Sequence, residues 1–270
     1  MPFPDFDPVL FQIGPFALRW YALAYIAGIA LGWWWGRRLS EARFWPGTTP
    51  ALTKGQVDDF VLWVAFGIIL GGRIGYVLFY HPEWLVEEPL SALMIWEGGM
   101  SFHGGFLGVC AAVIGYALRN RIDLLKLADQ TAPCVPFGLL FGRLANFING
   151  ELWGRPTDLP WGVVFPNGGP FARHPSQLYQ AALEGLALLL ILLWATHRAK
   201  LLPRRGAVTG LFLTFYAVFR IAAETVREPD LHLQGAFPFG LTMGMILSLP
   251  MLLAGLWLLA RARRPEAAAA

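Results

Sequence analysis

With 270 residues, 56% hydrophobic and only 14% charged side chains, and a formal net charge of +3, the chain lacks the roughly 25% charged residues of a soluble domain. Its mean hydropathy is +0.50. This balance excludes intrinsic disorder, a basic nucleic-acid-binding tail and a water-soluble dinucleotide enzyme, and leaves an integral membrane protein.

The chain opens with MPFPDFDPVL, which holds Asp5 and Asp7 and no basic residue before Arg19. The positive n-region of a cleaved signal peptide is missing, so the segment is expected to be retained. A membrane helix needs about 20 apolar residues to cross roughly 30 Å of hydrocarbon. Stretches of that kind lie at 16–36, 58–80, 100–118, 128–148, 178–196, 207–226 and 237–260. The last has no Asp, Glu, Lys or Arg between Asp230 and Arg261, and Pro250 is expected to kink it. Long continuous runs of this sort are unlike the short alternating segments of a β-barrel. The expectation is an all-α polytopic membrane protein with seven transmembrane helices, a single domain over 1–270. Residues 149–177 form an external segment between spans four and five, and 265–270 a disordered tail. No internal repeat supports an inverted-repeat transporter.

Lys and Arg set the orientation, because cytoplasmic loops hold the excess. Fourteen of the 21 fall on one side: Arg37, Arg38, Arg43 and Lys54; Arg119, Arg121 and Lys126; Arg198, Lys200, Arg204 and Arg205; Arg261, Arg263 and Arg264. The other side has Arg155, Arg173 and Arg227 among several carboxylates. The N-terminus is therefore expected outside and the C-terminus inside. The 12 tryptophans, with Trp33, Trp34 and Trp35 closing the first span, read as an interfacial belt. Cys110 and Cys134 sit in apolar stretches without metal-ligand spacing, so no disulfide, zinc site or cofactor is expected.

Four arginines remain at membrane depth: Arg19, Arg73, Arg143 and Arg220. An arginine at a helix centre costs about 2.5 to 3.5 kcal/mol on insertion scales, so it faces a cavity, a carboxylate or an anionic ligand. Arg19 is close enough to an end to snorkel. Arg143 begins GRLANFINGELWGR, in which Asn146 and Gly150 stand at i+3 and i+7 on the same helical face, followed by Glu151, Gly154 and Arg155. Arg220 and Glu224 can pair at i,i+4. Arg73 lies among Gly71, Gly72 and Gly75, where another helix or a lipid head can approach. Glu184 could partner any of these arginines. His103, in MSFHGG, can exchange a proton at working pH. Tyr21 and Tyr25 put phenols one turn apart on the first span. On the residues alone, interhelical packing is the bland account of the polar set, and a membrane anion or lipid transporter is the alternative active one.

The run GRLANFINGELWGR, with PVLFQIGPFALRWYALAY, GGRIGYVLFY, WEGGMSFHGG and RHPSQLYQAALEG, covers much of the chain. Together these blocks resemble the bacterial phosphatidylglycerol:prolipoprotein diacylglyceryl transferases. The resemblance implies a seven-helix enzyme of the bacterial inner membrane. Such an enzyme moves the diacylglyceryl group of phosphatidylglycerol onto the lipobox cysteine of a prolipoprotein signal peptide, the first step of lipoprotein maturation, and releases glycerol phosphate. The family's functional positions correspond to Tyr21, His103, Arg143, Asn146, Glu151, Gly154, Arg220 and Glu224. A thiol must lose its proton to attack, and the leaving phosphate ester must be held as the C–O bond breaks. Arginine suits phosphate geometrically. The expected catalytic set is therefore His103 as general base, with Tyr21 as rival, and Arg143 and Arg220 on the phosphate. Glu224 would orient Arg220, and Asn146, Glu151, Gly154 and Arg73 would complete the lipid-binding set.

Overall fold

The apolar run expected to begin the first span at 16 starts instead as a strand. β1 (Val9–Ile13) pairs antiparallel with β2 (Phe16–Arg19), and only from Trp20 does the chain turn helical, as α1 (Trp20–Leu39). Apolarity alone cannot separate the two, because four residues are too few to show a helical period. The computed structural model describes residues 1–4, 6–13, 16–229 and 241–262. Residues 237–240 of the expected last span and the expected tail at 265–270 lie outside them.

Among the described residues, the regular elements are helices apart from this small sheet. After α1 come α2 (Lys54–Tyr80) and α3 (Phe102–Arg119). Next is α4 (Leu124–Ile148), with a 3-10 turn at Ala132–Cys134, and then α5 (Ser176–His197), α6 (Ala207–Glu224) and α7 (Met243–Arg261). Five of them, α2, α4, α5, α6 and α7, are long and apolar enough to cross a membrane by length and composition. The chain groups into two compact units, Ala51–Leu127 and Met1–Pro50 with Ala128–Ala270.

Within Ala51–Leu127, a capping box starts α2. Thr53 Oγ1 accepts from the Gln56 N–H at 3.3 Å, and Gln56 Oε1 accepts from the Thr53 N–H at 3.0 Å. Helices α2 and α3 then meet through glycines spaced four apart. A Cβ at Gly71 would lie 2.7 Å from the Gly108 Cα, and one at Gly75 2.7 Å from the Gly104 Cα. Without side chains in the seam, the backbones pack directly, which is how membrane helices associate when apolar burial gives no advantage over lipid. Leu52, Val57, Phe60, Tyr116, Ala117 and Leu127 close one end of the pair.

In the other unit, α1 crosses α4 where a Cβ on Gly28 would sit 2.9 Å from the Gly138 Cα, and α5 crosses α4 at Gly185 and Leu140. Asp129 of α4 caps α6, accepting from the Gly206 N–H and, at 2.8 Å each, from the N–H and hydroxyl of Thr209. Helix α7 runs through Pro250. Trp33 and Trp34 are exposed, under the guanidiniums of Arg37 and Arg38. Trp35 departs from the expected belt: it is buried and stacks on His197 at 5.1 Å. One turn of helix cannot present three consecutive side chains to the same interface. Helix α5 is itself irregular, with a π-helical stretch at Ala181–Ala187.

Candidate active site

Arg143 projects from α4 and Arg220 from α6, and one carboxylate from the π-helical stretch of α5 joins them. Glu184 is fully buried; its Oε2 lies 3.4 Å from Arg143 Nη2 and its Oε1 3.6 Å from Arg220 Nη1. π-Helical turns occur disproportionately at functional sites, and this one carries the residue that ties two cations together. The sequence named Glu184 as a possible partner; the structure makes it the partner of both arginines.

Arg220 also pairs along its own helix, Nη2 to Glu224 Oε1 at 2.5 Å, and Arg227 Nη1 reaches the same oxygen at 3.2 Å. Glu224 is buried, and α7 accommodates it at Gly244, where a Cβ would fall 2.7 Å from the Glu224 Cδ. Each carboxylate thus serves two guanidiniums. Sharing of this kind leaves N–H groups of Arg143 and Arg220 to spare, and spare donors around a cationic site suit an anion.

A second group adjoins on α4. Asn146 is buried and donates through Nδ2 to Glu151 Oε1 at 2.7 Å and to the Tyr21 hydroxyl at 3.4 Å. The Tyr21 ring packs against Tyr25 at 5.1 Å. Here the expected geometry needs correction. Helix α4 ends at Ile148, so Gly150 does not extend the face of Arg143; with φ +64° it makes the left-handed turn that folds Glu151 back onto Asn146. Leu152 follows with φ +58°, a strained value for a residue with a side chain. Two α5 side chains pin that strain: Ser176 Oγ donates to the Leu152 carbonyl at 2.9 Å and Gln177 Nε2 to that of Glu151 at 2.5 Å.

Gly154 lies where three chain segments cross. Its N–H donates to the His174 carbonyl at 2.8 Å, and a Cβ would meet the Val226 carbonyl oxygen at 2.5 Å and the His174 Cβ at 2.6 Å. Arg173 donates to the Gly154 carbonyl and pairs with Glu228 at 3.3 Å, closing the crossing. The chain passes too closely here for any side chain on residue 154.

His103 and Arg73 belong to the Ala51–Leu127 unit. His103 stands in the first turn of α3, exposed, next to the Ser101 cap that accepts from the Gly104 N–H at 3.2 Å. Arg73, expected at a lipid head, is buried and committed to backbone. Its guanidinium donates to the carbonyls of Ser91, Ala92, Gly98 and Gly99, and packs against Tyr76 and Trp84. Four acceptors leave it little for an anion; it organises the loop that leads into α3.

Sequence reading passed over Gln177, Gln180, Arg227 and Tyr216. Tyr216 lies within electrostatic reach of Glu184, Arg220, Arg143 and Glu224. The signal was present for three of the four: Gln177, Gln180 and Glu184 repeat at i, i+3 and i+7, and Arg227 stands three residues after Glu224.

Fold and site define a multi-pass membrane protein in which buried carboxylates bridge arginines between its helices. Residues 8–261 match the family described as prolipoprotein diacylglyceryl transferase, and the chain belongs to it. It is 61% identical to the phosphatidylglycerol--prolipoprotein diacylglyceryl transferase of Phenylobacterium zucineum (strain HLK1), over 98% of this chain and 96% of that one. Against the proteins of the same description from Sinorhizobium medicae (strain WSM419) and Caulobacter sp. (strain K31), identity is 57% and 55%. The alignments cover 100% and 98% of this chain, and 96% and 95% of theirs.

Proposed function

We propose that this protein transfers the diacylglyceryl group of phosphatidylglycerol to the lipobox cysteine of a prolipoprotein in the bacterial inner membrane. The observation that carries the reading is the pairing of Arg143 and Arg220 across buried Glu184, in a chain of this family. The cysteine sulfur, having lost its proton, attacks the glyceryl carbon bound to the phosphate oxygen. The C–S bond forms as the C–O bond breaks, and the electron pair leaves with glycerol phosphate. Arg143 and Arg220 hold the phosphate and stabilise its charge as it departs. Glu224 orients Arg220. Asn146 and Glu151 contact the glycerol head, and Gly154 keeps the Glu151 turn against the α5 entrance. His103 takes the thiol proton, with Tyr21 as the rival base. Seven spans, with the N-terminus periplasmic and the C-terminus cytoplasmic, place the 149–177 segment on the periplasmic side.

Mass spectrometry of a lipobox peptide after incubation with purified protein and phosphatidylglycerol tests the reaction. The peptide cysteine gains one diacylglyceryl group with the wild type. With Arg143→Ala the gain falls at least about a hundredfold, the scale of losing one charge-stabilising donor, while the protein still inserts. Turnover at the wild-type rate would remove Arg143 from the head-group site. His103→Gln is expected to lose both rate and the pH dependence of the rate; an unaltered profile would transfer the base to Tyr21.

A further inference from the structure

Helix α5 carries a buried polar stripe that the pairing of the arginines does not use up. Gln177, Gln180 and Glu184 share one face and are all fully buried. At one end Gln177 holds the Glu151 carbonyl at 2.5 Å; at the other Glu184 holds Arg143 and Arg220. Gln180 stands between them, directly before the π-helical stretch. Neither its amide oxygen nor its amide nitrogen has a hydrogen-bond partner among the described residues. An amide with both ends unpaired is costly in an apolar interior, and a leucine would fill the same volume without that cost. Packing therefore gives no reason for a glutamine here.

The chemistry of the unpaired group points to its ligand. A primary amide offers a donor and an acceptor side by side. A bare phosphate oxygen only accepts and an ammonium only donates, whereas a hydroxyl does both. On the reading given under Proposed function, the groups of that kind in the substrate are the free hydroxyls of the glycerol head, beside the phosphate held by Arg143 and Arg220. We propose that Gln180 is a specificity-determining residue that binds these hydroxyls and selects glycerol over head groups lacking them.

The test compares two donor lipids, phosphatidylglycerol and phosphatidylpropanol, which share the phosphodiester but differ in the hydroxyls. Transfer to a lipobox peptide is followed with the wild type, Gln180→Leu and Gln180→Met, together with thermal unfolding of each. The wild type should prefer phosphatidylglycerol. In Gln180→Leu the KM for phosphatidylglycerol should rise about tenfold, with phosphatidylpropanol changed less than about twofold, as expected for the loss of hydrogen bonds to one lipid only. The unfolding temperature should hold or rise, because removing an unpaired buried amide relieves a cost. A wild type indifferent to the hydroxyls, or a folded variant that keeps the preference, would overturn the assignment. So would failure of both variants to fold, which would make Gln180 a structural residue. Absence of transfer from either lipid by the wild type would instead bring down the transferase reading itself.

Discussion

Glu184 pairs with two guanidiniums at once, and its removal takes the carboxylate from Arg143 and leaves Arg220 with Glu224 alone. A Glu184→Gln chain keeps the volume and loses the charge, leaving the half-buried Arg143 and Arg220 without the anion they share. Breaking a buried ion pair by removing one partner costs about 3 to 5 kcal/mol, so thermal unfolding in detergent should drop sharply; an unmoved transition would show that the arginines are held by something else. His174, just ahead of α5, offers a pH-dependent counterpart. Burial holds its imidazole below the usual histidine range, so the unfolded chain takes up the proton first. Stability is then full above about pH 6.5, the value for a free histidine, and declines as pH falls through that value toward the lower folded one. His174→Gln should abolish this acid-side loss, measured as unfolding temperature between pH 7 and pH 5. An equal loss in the variant would assign it to other groups.

The glycine seam between α2 and α3 has no slack. A Cβ on Gly71 would press on the Gly108 Cα and, closer still, on the Gly104 carbonyl, both backbone atoms that cannot rotate away. Gly71→Val should cost about 1 to 3 kcal/mol, the usual price of overpacking, whereas Gly55→Ala, at a position with open space around it, should be neutral within about 0.5 kcal/mol. Comparing the two by detergent unfolding separates close packing from glycine content. The π-helical stretch of α5 shows the same dependence on context. Apart from Gly185, AALEGLA consists of strong helix formers, so the extra residue in the turn is set by what α5 packs against and by the polar stripe it must aim.

Across the whole molecule, the basic residues predict which loops face the cytoplasm. Single cysteines placed at Arg205 and at Arg155, in a chain with Cys110 and Cys134 replaced, should label from opposite sides of the membrane. The first should react only after the membrane is permeabilised and the second in intact cells; labelling of both from one side would break the orientation proposed above.

Much of this was legible beforehand, because membrane burial writes itself into sequence. Apolar runs of span length and the stray arginines within them follow from the cost of putting polar groups in hydrocarbon, so helices α1 to α7 and the polar positions Arg143, Arg220, Asn146, Glu151 and Glu224 could be read directly. What the tertiary structure decided was partnership. Periodicity says which residues share one helix face, and so found Arg220 with Glu224, but not which helix faces which. Only the packed chain assigned Glu184 to two arginines at once, gave Arg73 to backbone carbonyls, and turned Gly150 from a helix face into the bend that returns Glu151 to Asn146. These depend on contacts between residues tens of positions apart, and no local pattern encodes a contact whose two halves lie on different helices.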